Sequence, residues 1–469
     1  MDHKLFDILG KFRSCFSRQA TYHWFFLVMI GLIIRGDHYG LSSIVRWLSL
    51  TPGCYWSIIH LFDSTGWALS GLLLCWWGCC FQESTCLKLE GRFVMIGDHT
   101  NQPKDGRRMP GVVTIHQDSE TSSKPSYFRG HVWCFIALVM ERTQKYFAVP
   151  LLAELDREEV NKKDSHSKAT RIVYHAIGIA QRMNCPSYLT LDAYFAVGPV
   201  FFAAASVWCL ASKAPWIHII CRAKKSAVAY LDPEPSPEGK RGKKRKYGKK
   251  IKLTSLFKDR AEDFQETTCC VYGNTEVVKV LCLDLLWKPI KDKIRFVLAV
   301  TSRGPIVLMC SDLALSATQI LALYCRRAAI ESTFSVLKNL MGGLAYHFWS
   351  KRIEKSSRRP KKNKGSKSAT PQEVIEDKMR AIELYVNLSA ILVGIFQILA
   401  LQFPEKIWEN NIHWLRTVSN RIPSEYIVKG VLTQAILVNL HKVNAHAIYD
   451  LIRSRQFQSN NDQRLKKAA

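Results

Sequence analysis

The period of the hydrophobic positions changes along the chain. Over residues 21–81 apolar side chains, rich in Trp and Leu, recur at helical spacing, which predicts a series of short helices. Residues 41–48 and 55–62 are two such segments, parted by the helix-breaking turn Leu50-Thr51-Pro52-Gly53. The pair reads either as a helix-turn-helix, whose second helix would lie in a major groove, or as an ordinary helical hairpin. From residue 92 the period shortens. Residues 92–96, 111–116, 131–140 and 146–152 predict strands, the first ending in Gly97-Asp98. Residues 168–183 predict a helix, with Ile172, Ala176, Ile179 and Ala180 on one face. A buried strand at 188–191 ends in Asp192; a helix at 197–210 and a strand at 216–221, before Arg222, follow. Strands that first meander and then alternate with helices predict a mixed α/β sheet.

Residues 232–250 interrupt this rhythm with Pro233-x-Pro235-x-Pro237 and a cationic run, the mark of a linker or exposed loop. Residues 267–310 return to β character, with strands at 295–301 and 306–310 around the turn 302–305. A long helix is predicted over 316–339, then a basic loop at 351–370 and a helical region from 372 onward. There is no internal repeat. Three apolar stretches, 24–34, 67–81 and 388–403, run about 11 to 16 residues, short of the roughly 18–20 that cross a bilayer. They are expected to be buried helices.

Composition narrows the function. Hydrophobic residues make up 48% and charged residues 22%, which excludes wholesale disorder. The net charge of +27, from 66 Lys and Arg against 39 Asp and Glu, points to a polyanionic partner, nucleic acid or an anionic membrane face. Much of the excess is concentrated. Residues 239–252 hold nine Lys and Arg and no acid, and residues 351–367 hold nine against one Glu. The 15 Cys include no Cys-x2-Cys pair and follow no secretory signal, so reduced thiols in a cytosolic protein are expected rather than a zinc ribbon or a disulfide framework.

The candidate chemistry lies in carboxylates. Asp98 and Asp192 each end a short apolar strand; if those strands are parallel neighbours, both carboxylates leave the same sheet edge. Such a pair is an oxygen-ligand set suited to Mg²⁺ or Mn²⁺, although an Asp after a strand is also a common turn or N-cap residue. The segment 323–338 adds to it. Tyr324, Arg327, Glu331 and Lys338 project within roughly a 60° stripe of a helix, beside the stripe of the apolar Ile330, Phe334 and Leu337. One face therefore offers a carboxylate, a guanidinium, an ammonium and a phenol, the last three suited to phosphates. The plainer reading is a solvated face with an Arg327–Glu331 ion pair.

The pattern Tyr324-x2-Arg327-x3-Glu331-x6-Lys338 resembles the signature of DDE transposases of the insertion-sequence-four type, the Tn-five-like group. Chance would produce it on the order of 10⁻³ to 10⁻² times in a chain this long. Ile96-Gly-Asp98-His-Thr, with Pro103-Lys104 and Gly106-Arg107 beyond it, looks like the first-aspartate block of these enzymes, and Leu189-Thr-Leu-Asp192-Ala-Tyr-Phe195 resembles the second. The resemblance implies an α/β, ribonuclease-H-like mixed sheet with a β-rich insertion, flanked by helical N- and C-terminal regions. It implies that Asp98, Asp192 and Glu331 are the catalytic triad, binding two Mg²⁺ or Mn²⁺ ions per active site. Tyr324, Arg327, Lys338 and, less closely matched, Arg222 would contact DNA. Trp287 would be the candidate to hold a flipped base.

The division that follows is a helical DNA-binding region at 1–90, the first part of the catalytic domain at 91–230 and a basic linker with the β insertion at 231–315. The signature helix at 316–350, a basic loop at 351–371 and a helical region at 372–469, with a dimerisation role for the 372–403 helix, complete it. The implied activity is cutting double-stranded DNA at the element's ends and joining 3′ ends to target DNA, by a homodimer in a synaptic complex. The setting would be the bacterial cytoplasm and nucleoid, away from membranes. The alternatives are a transposase-derived DNA-binding protein without catalysis and a basic membrane-surface protein. His99 could take part in catalysis or only shape its loop; Lys104, Arg107 and Arg108 could bind phosphates beside the site; His347 and Trp349 are expected to pack.

Overall fold

A computed structural model describes residues 2–116, 126–156, 167–234, 245–356, 370–417, 421–442 and 446–457. Five strands make the centre of the sheet: β1 (Arg92–Pro103), β2 (Tyr127–Arg142), β3 (Lys145–Leu155), β4 (Ser187–Leu191) and β5 (Ile217–Arg222). Their spatial order is β3-β2-β1-β4-β5. β1, β4 and β5 run parallel, and β2 is antiparallel to both its neighbours, β1 and β3. Every residue of β4 is buried, as expected of a parallel strand covered on both faces. Four further strands, β6 (Gln265–Val271), β7 (Asn274–Trp287), β8 (Asp292–Thr301) and β9 (Gly304–Cys310), form an antiparallel extension. β9 pairs with β5, from Leu308↔Arg222 to Cys310↔Ile220, so the 267–310 region continues the central sheet.

Helices cover the sheet. In the N-terminal part these are α1 (Asp2–Lys11), α2 (Gln19–Ile34), α3 (Leu41–Trp47), α4 (Cys54–Asp63) and α5 (Leu69–Phe81). Within the α/β region come α6 (Lys168–Met183), α7 (Gly198–Ala205), α8 (Ala317–Arg326) and α9 (Ala329–Ser335); the C-terminal part has α10 (Gln372–Gln402), α11 (Glu425–Leu440) and α12 (Ala447–Arg455). α5 is pinned to β3 by its tryptophans: Trp76 Nε1 donates to the Pro150 carbonyl (2.7 Å) and Trp77 Nε1 to that of Leu151 (2.8 Å). α10 lies along β3. Its Asn387 side chain accepts from the Ala153 N–H (3.0 Å) and donates to the Ala153 carbonyl (2.7 Å), occupying backbone groups that an edge strand would leave open. The N- and C-terminal helices form one layer, tied by buried Arg35, which donates to the Tyr385 hydroxyl (2.8 Å) and to the Met341 carbonyl.

Four expectations are revised. The strand at 92–96 runs on to Pro103, because β2 keeps pairing with it through the polar residues 99–102 after the parallel pairing with β4 stops at Ile96↔Thr190. The helix at 197–210 stops at Ala205. The single helix at 316–339 is broken between Arg326 and Ala329 and ends in a π-turn, Val336–Leu340, closed by the Met341 N–H on the Val336 carbonyl (3.0 Å). Gly342 follows with φ +57°, where a Cβ would meet the His38 ring at 2.7 Å. The apolar stretch at 388–403 belongs to a 31-residue helix, long and apolar enough to span a bilayer by length and composition, with a mean hydropathy of 2.1 over an 18-residue window. That window is wholly buried inside the protein, against β3 and the other helices. The buried part of α10 therefore packs within the chain. The basic segments fall partly at 239–244 and 357–367, outside the described residues.

Candidate active site

The register of β1 and β4 sets the site. Phe93 lies opposite Ser187 and Ile96 opposite Thr190; carried two residues further, that register brings Asp98 opposite Asp192. β4 in turn pairs with β5 up to Leu191↔Cys221, so Arg222 follows beside Asp192. All three residues therefore stand at one edge, where the parallel pairing of the strands ends. Asp98 sits inside β1, not at its end, while Asp192 caps the short turn after β4. Gly97 faces α6, where a Cβ would meet Ile172 at 2.7 Å. Asp98, next along the strand, faces the opposite side, where α8 and α9 lie.

Each aspartate gives one oxygen to the backbone: Asp98 Oδ1 accepts from the His99 N–H (2.8 Å) and Asp192 Oδ1 from the Tyr194 N–H (2.9 Å). Asp98 Oδ2 accepts from Arg327 Nη1 at 2.7 Å, and the other arm of that guanidinium, Nη2, donates to Glu331 Oε1 at 3.1 Å. Arg327 thus joins a carboxylate of β1 to one of α9. The Asp98 end is enclosed and the Glu331 end is open, its side chain 65% exposed. Burial pushes the Asp98 carboxyl up to about 6, with Arg327 pulling against it and the Asp192 carboxylate adding to it.

The helix segment is placed by its caps and its apolar stripe. Ser316 and Gln319 form a capping box at the start of α8. Ile330, Phe334 and Leu337 are buried, Phe334 packing edge-on against Phe135 of β2 (5.1 Å). Thr333 Oγ1 donates to the Ala148 carbonyl of β3 (2.9 Å), and Arg326 pairs with Glu141 of β2 (2.7 Å). Lys338, on the π-turn, donates to Thr100 Oγ1 (2.7 Å) and to the Asn101 carbonyl (3.2 Å), just beyond Asp98 on β1. Four separate stretches of chain are therefore brought to one face, with π-geometry where it meets β1, as is frequent at functional sites.

Some expected contacts lie elsewhere. Tyr324, expected to contact DNA, is buried and sits beside Arg327. Trp287 is buried against Phe201 (5.1 Å) as a core residue, unavailable to a base. The His99 ring stacks on Phe195 (5.3 Å), holding the turn after Asp192 against β1, and burial pushes its pKa down. Lys104 is buried on the carbonyls of Leu344 (2.8 Å) and Tyr346 (3.0 Å). His347 and Trp349, expected to pack, are exposed. Thr100 and Asn101, which receive Lys338, were not singled out in the sequence; their position within the first-aspartate block was the available signal.

Among the described residues no group of three or more His, Cys, Asp or Glu side chains is gathered to hold a metal ion. All fifteen cysteines are free thiols. The donor set still fits a hard divalent cation in its chemistry: Asp98 and Asp192 are adjacent, oxygen-only and fixed by backbone hydrogen bonds. Glu331 is held at the same place through a guanidinium, a positive charge between carboxylates.

No curated protein matches the chain. Residues 178–352 match the family model described as the transposase DDE domain. The matched stretch takes in Asp192, Arg222, Tyr324, Arg327, Glu331 and Lys338, while Asp98 lies ahead of it and joins them through the fold. Over residues 178–352 the chain is similar to the transposase DDE domain, which supports a DDE transposase, a nuclease and strand transferase with DNA as its partner.

Proposed function

We propose that the protein cuts DNA at the ends of its own insertion sequence and joins the resulting 3′ ends to target DNA, as a transposase of the insertion-sequence-four type. The observation that carries this reading is the junction of Asp98, opposite Asp192 in strand register, with Glu331 through Arg327. The order β3-β2-β1-β4-β5, with a β extension before the signature segment, is what a ribonuclease-H-like core with an insertion would have, and this supports the same reading.

Asp98, Asp192 and Glu331 would hold two divalent ions, Mg²⁺ or Mn²⁺. When bound, such ions activate the attacking oxygen and stabilise the leaving oxygen of an in-line displacement at phosphorus. The protein's own groups bind and orient. Arg327 is poised between the carboxylates and the solvent-facing side; moving its fork onto a phosphate would release Asp98 Oδ2 and Glu331 together. Lys338 sits beside β1 and Arg222 beside Asp192, where each could receive a neighbouring phosphate. The first nucleophile would be water and the second the 3′ hydroxyl it creates, so no covalent link to the protein is required. The acting form would be a homodimer holding two ends, in the cytoplasm and nucleoid and away from membranes; the burial of the apolar window of α10 supports the last point.

The test is incubation of the purified protein with Mg²⁺ and a duplex carrying the element's ends. Nicks that leave a 3′ hydroxyl at the element boundary are expected. Binding without cutting under either Mg²⁺ or Mn²⁺ would leave the reading as a DNA-binding protein derived from a transposase.

A further inference from the structure

Residues Tyr346–Trp349 form an extended ribbon whose side chains alternate between core and solvent. Tyr346 points inward, its hydroxyl on His131 Nδ1 (2.5 Å) and accepting from Trp133 Nε1 (3.1 Å). Phe348 packs on Phe62 (5.4 Å) and Tyr385 (6.1 Å). From the sheet side Lys104 clamps the ribbon, with Nζ 3.8 Å from the centre of the Tyr346 ring. His347 and Trp349 are thereby turned outward on a rigid support, Trp349 53% exposed. A large aromatic side chain held out in this way, beside the site, has a flat face free for a ligand.

Two grooves meet at this ribbon. One, of about 770 Å³, runs between it and the loop after β1, with Arg107, Arg108 and Lys355 against a single acid, Asp105. The second, of about 440 Å³, lies on the other side, where Tyr39 and Trp56 are also exposed. Arg107 Nε donates to the Ser356 carbonyl (3.0 Å) and Arg108 Nη1 to that of Ile353 (2.9 Å), which fixes the basic segment along the rim. The first groove begins at Gln102 and Pro103, on the same strand as Asp98. Four residues of strand span about 13 Å, so DNA lying on the carboxylates would have the groove within reach. Cations along a groove and aromatics at its wall are the combination that binds unpaired strands, since every free base offers a π-face while a base pair hides both of its own.

We propose that this groove, with Trp349 as its stacking platform, binds single-stranded DNA that leaves the carboxylate site. The proposal rests on the DNA-cutting reading for the origin of that strand; its test measures binding alone. The full chain in buffer with EDTA is titrated into a fluorescein-labelled single strand of roughly 20 nucleotides and, separately, into the matching duplex, with anisotropy as the readout. Trp349→Ala is expected to weaken single-strand binding on the order of tenfold, Trp349→Phe to keep most of it, and both to leave duplex binding unchanged. A Trp349→Ala protein that binds the single strand as wild type does, or that loses single strand and duplex equally, overturns the proposal. Cleavage is scored in its own assay, so a wild type that passes the titration but never nicks DNA counts against the cutting reading and not against the groove.

Discussion

At the scale of the residue, the site turns on the balance of charge around Asp98. Its carboxyl is enclosed, faces Asp192 and has one cationic partner, Arg327, so burial wins and its pKa stands at about 6. The folded chain therefore holds that proton more tightly than the unfolded chain, whose carboxyl titrates near 3.8. The stabilising contribution of this proton is fully present below about pH 4 and is lost as the pH rises through 6. In metal-free protein, the melting temperature of wild type relative to Asp98→Asn should fall between pH 4 and pH 7; a difference that stays constant over that range would contradict the assignment. The same enclosure explains why Arg327 was legible only in part. Its spacing from Glu331 gives an ion pair on any helix, but its second bond, to a carboxylate 229 positions away, exists only once β1 and α8 are packed together.

At the scale of the element, periodicity located most of what was built and failed where tertiary hydrogen bonds took over. The α6 bounds and the buried strand at β4 follow directly from apolar spacing and from turn residues such as Asn184, which caps α6 in the left-handed conformation. The second half of β1 does not, because polar residues 99–102 are kept in a strand by pairing with β2. The broken signature helix was equally hidden: its π-turn depends on Gly342 and Gly343 meeting His38 and Leu337. The alternation of Tyr346 to Trp349 was short enough to pass for packing. α10 shows the reverse case. Its apolar run was visible, but its role as cover for the β3 edge depends on two polar residues, Asn387 on Ala153 and Glu383, whose Oε1 accepts from the Leu155 N–H (3.3 Å). Asn387→Leu would leave the Ala153 N–H and carbonyl buried and unpaired, and should lower stability by about 1–3 kcal/mol, measured by chemical denaturation. An unchanged midpoint would mean that the edge is satisfied in another way.

At the scale of the whole molecule, a mixed sheet extended by β6–β9 carries the carboxylates at one edge, and a single layer of N- and C-terminal helices supports it from the β3 side. The net charge of +27 acts at this scale. If it serves DNA, the logarithm of the binding constant should fall linearly with the logarithm of salt concentration, by about 0.9 for each phosphate neutralised. Filter binding across a salt series checks this, and a slope near zero would remove the electrostatic account. The carboxylates make the sharper claim, that binding and cutting are separable. The direct measurement is Mg²⁺-dependent nicking of a duplex bearing the element's ends, by wild type and by Glu331→Ala, with duplex affinity measured on the same preparations. The account predicts that wild type nicks at the boundary while Glu331→Ala binds equally well and does not nick. Equal nicking by both proteins, or by neither, would contradict it.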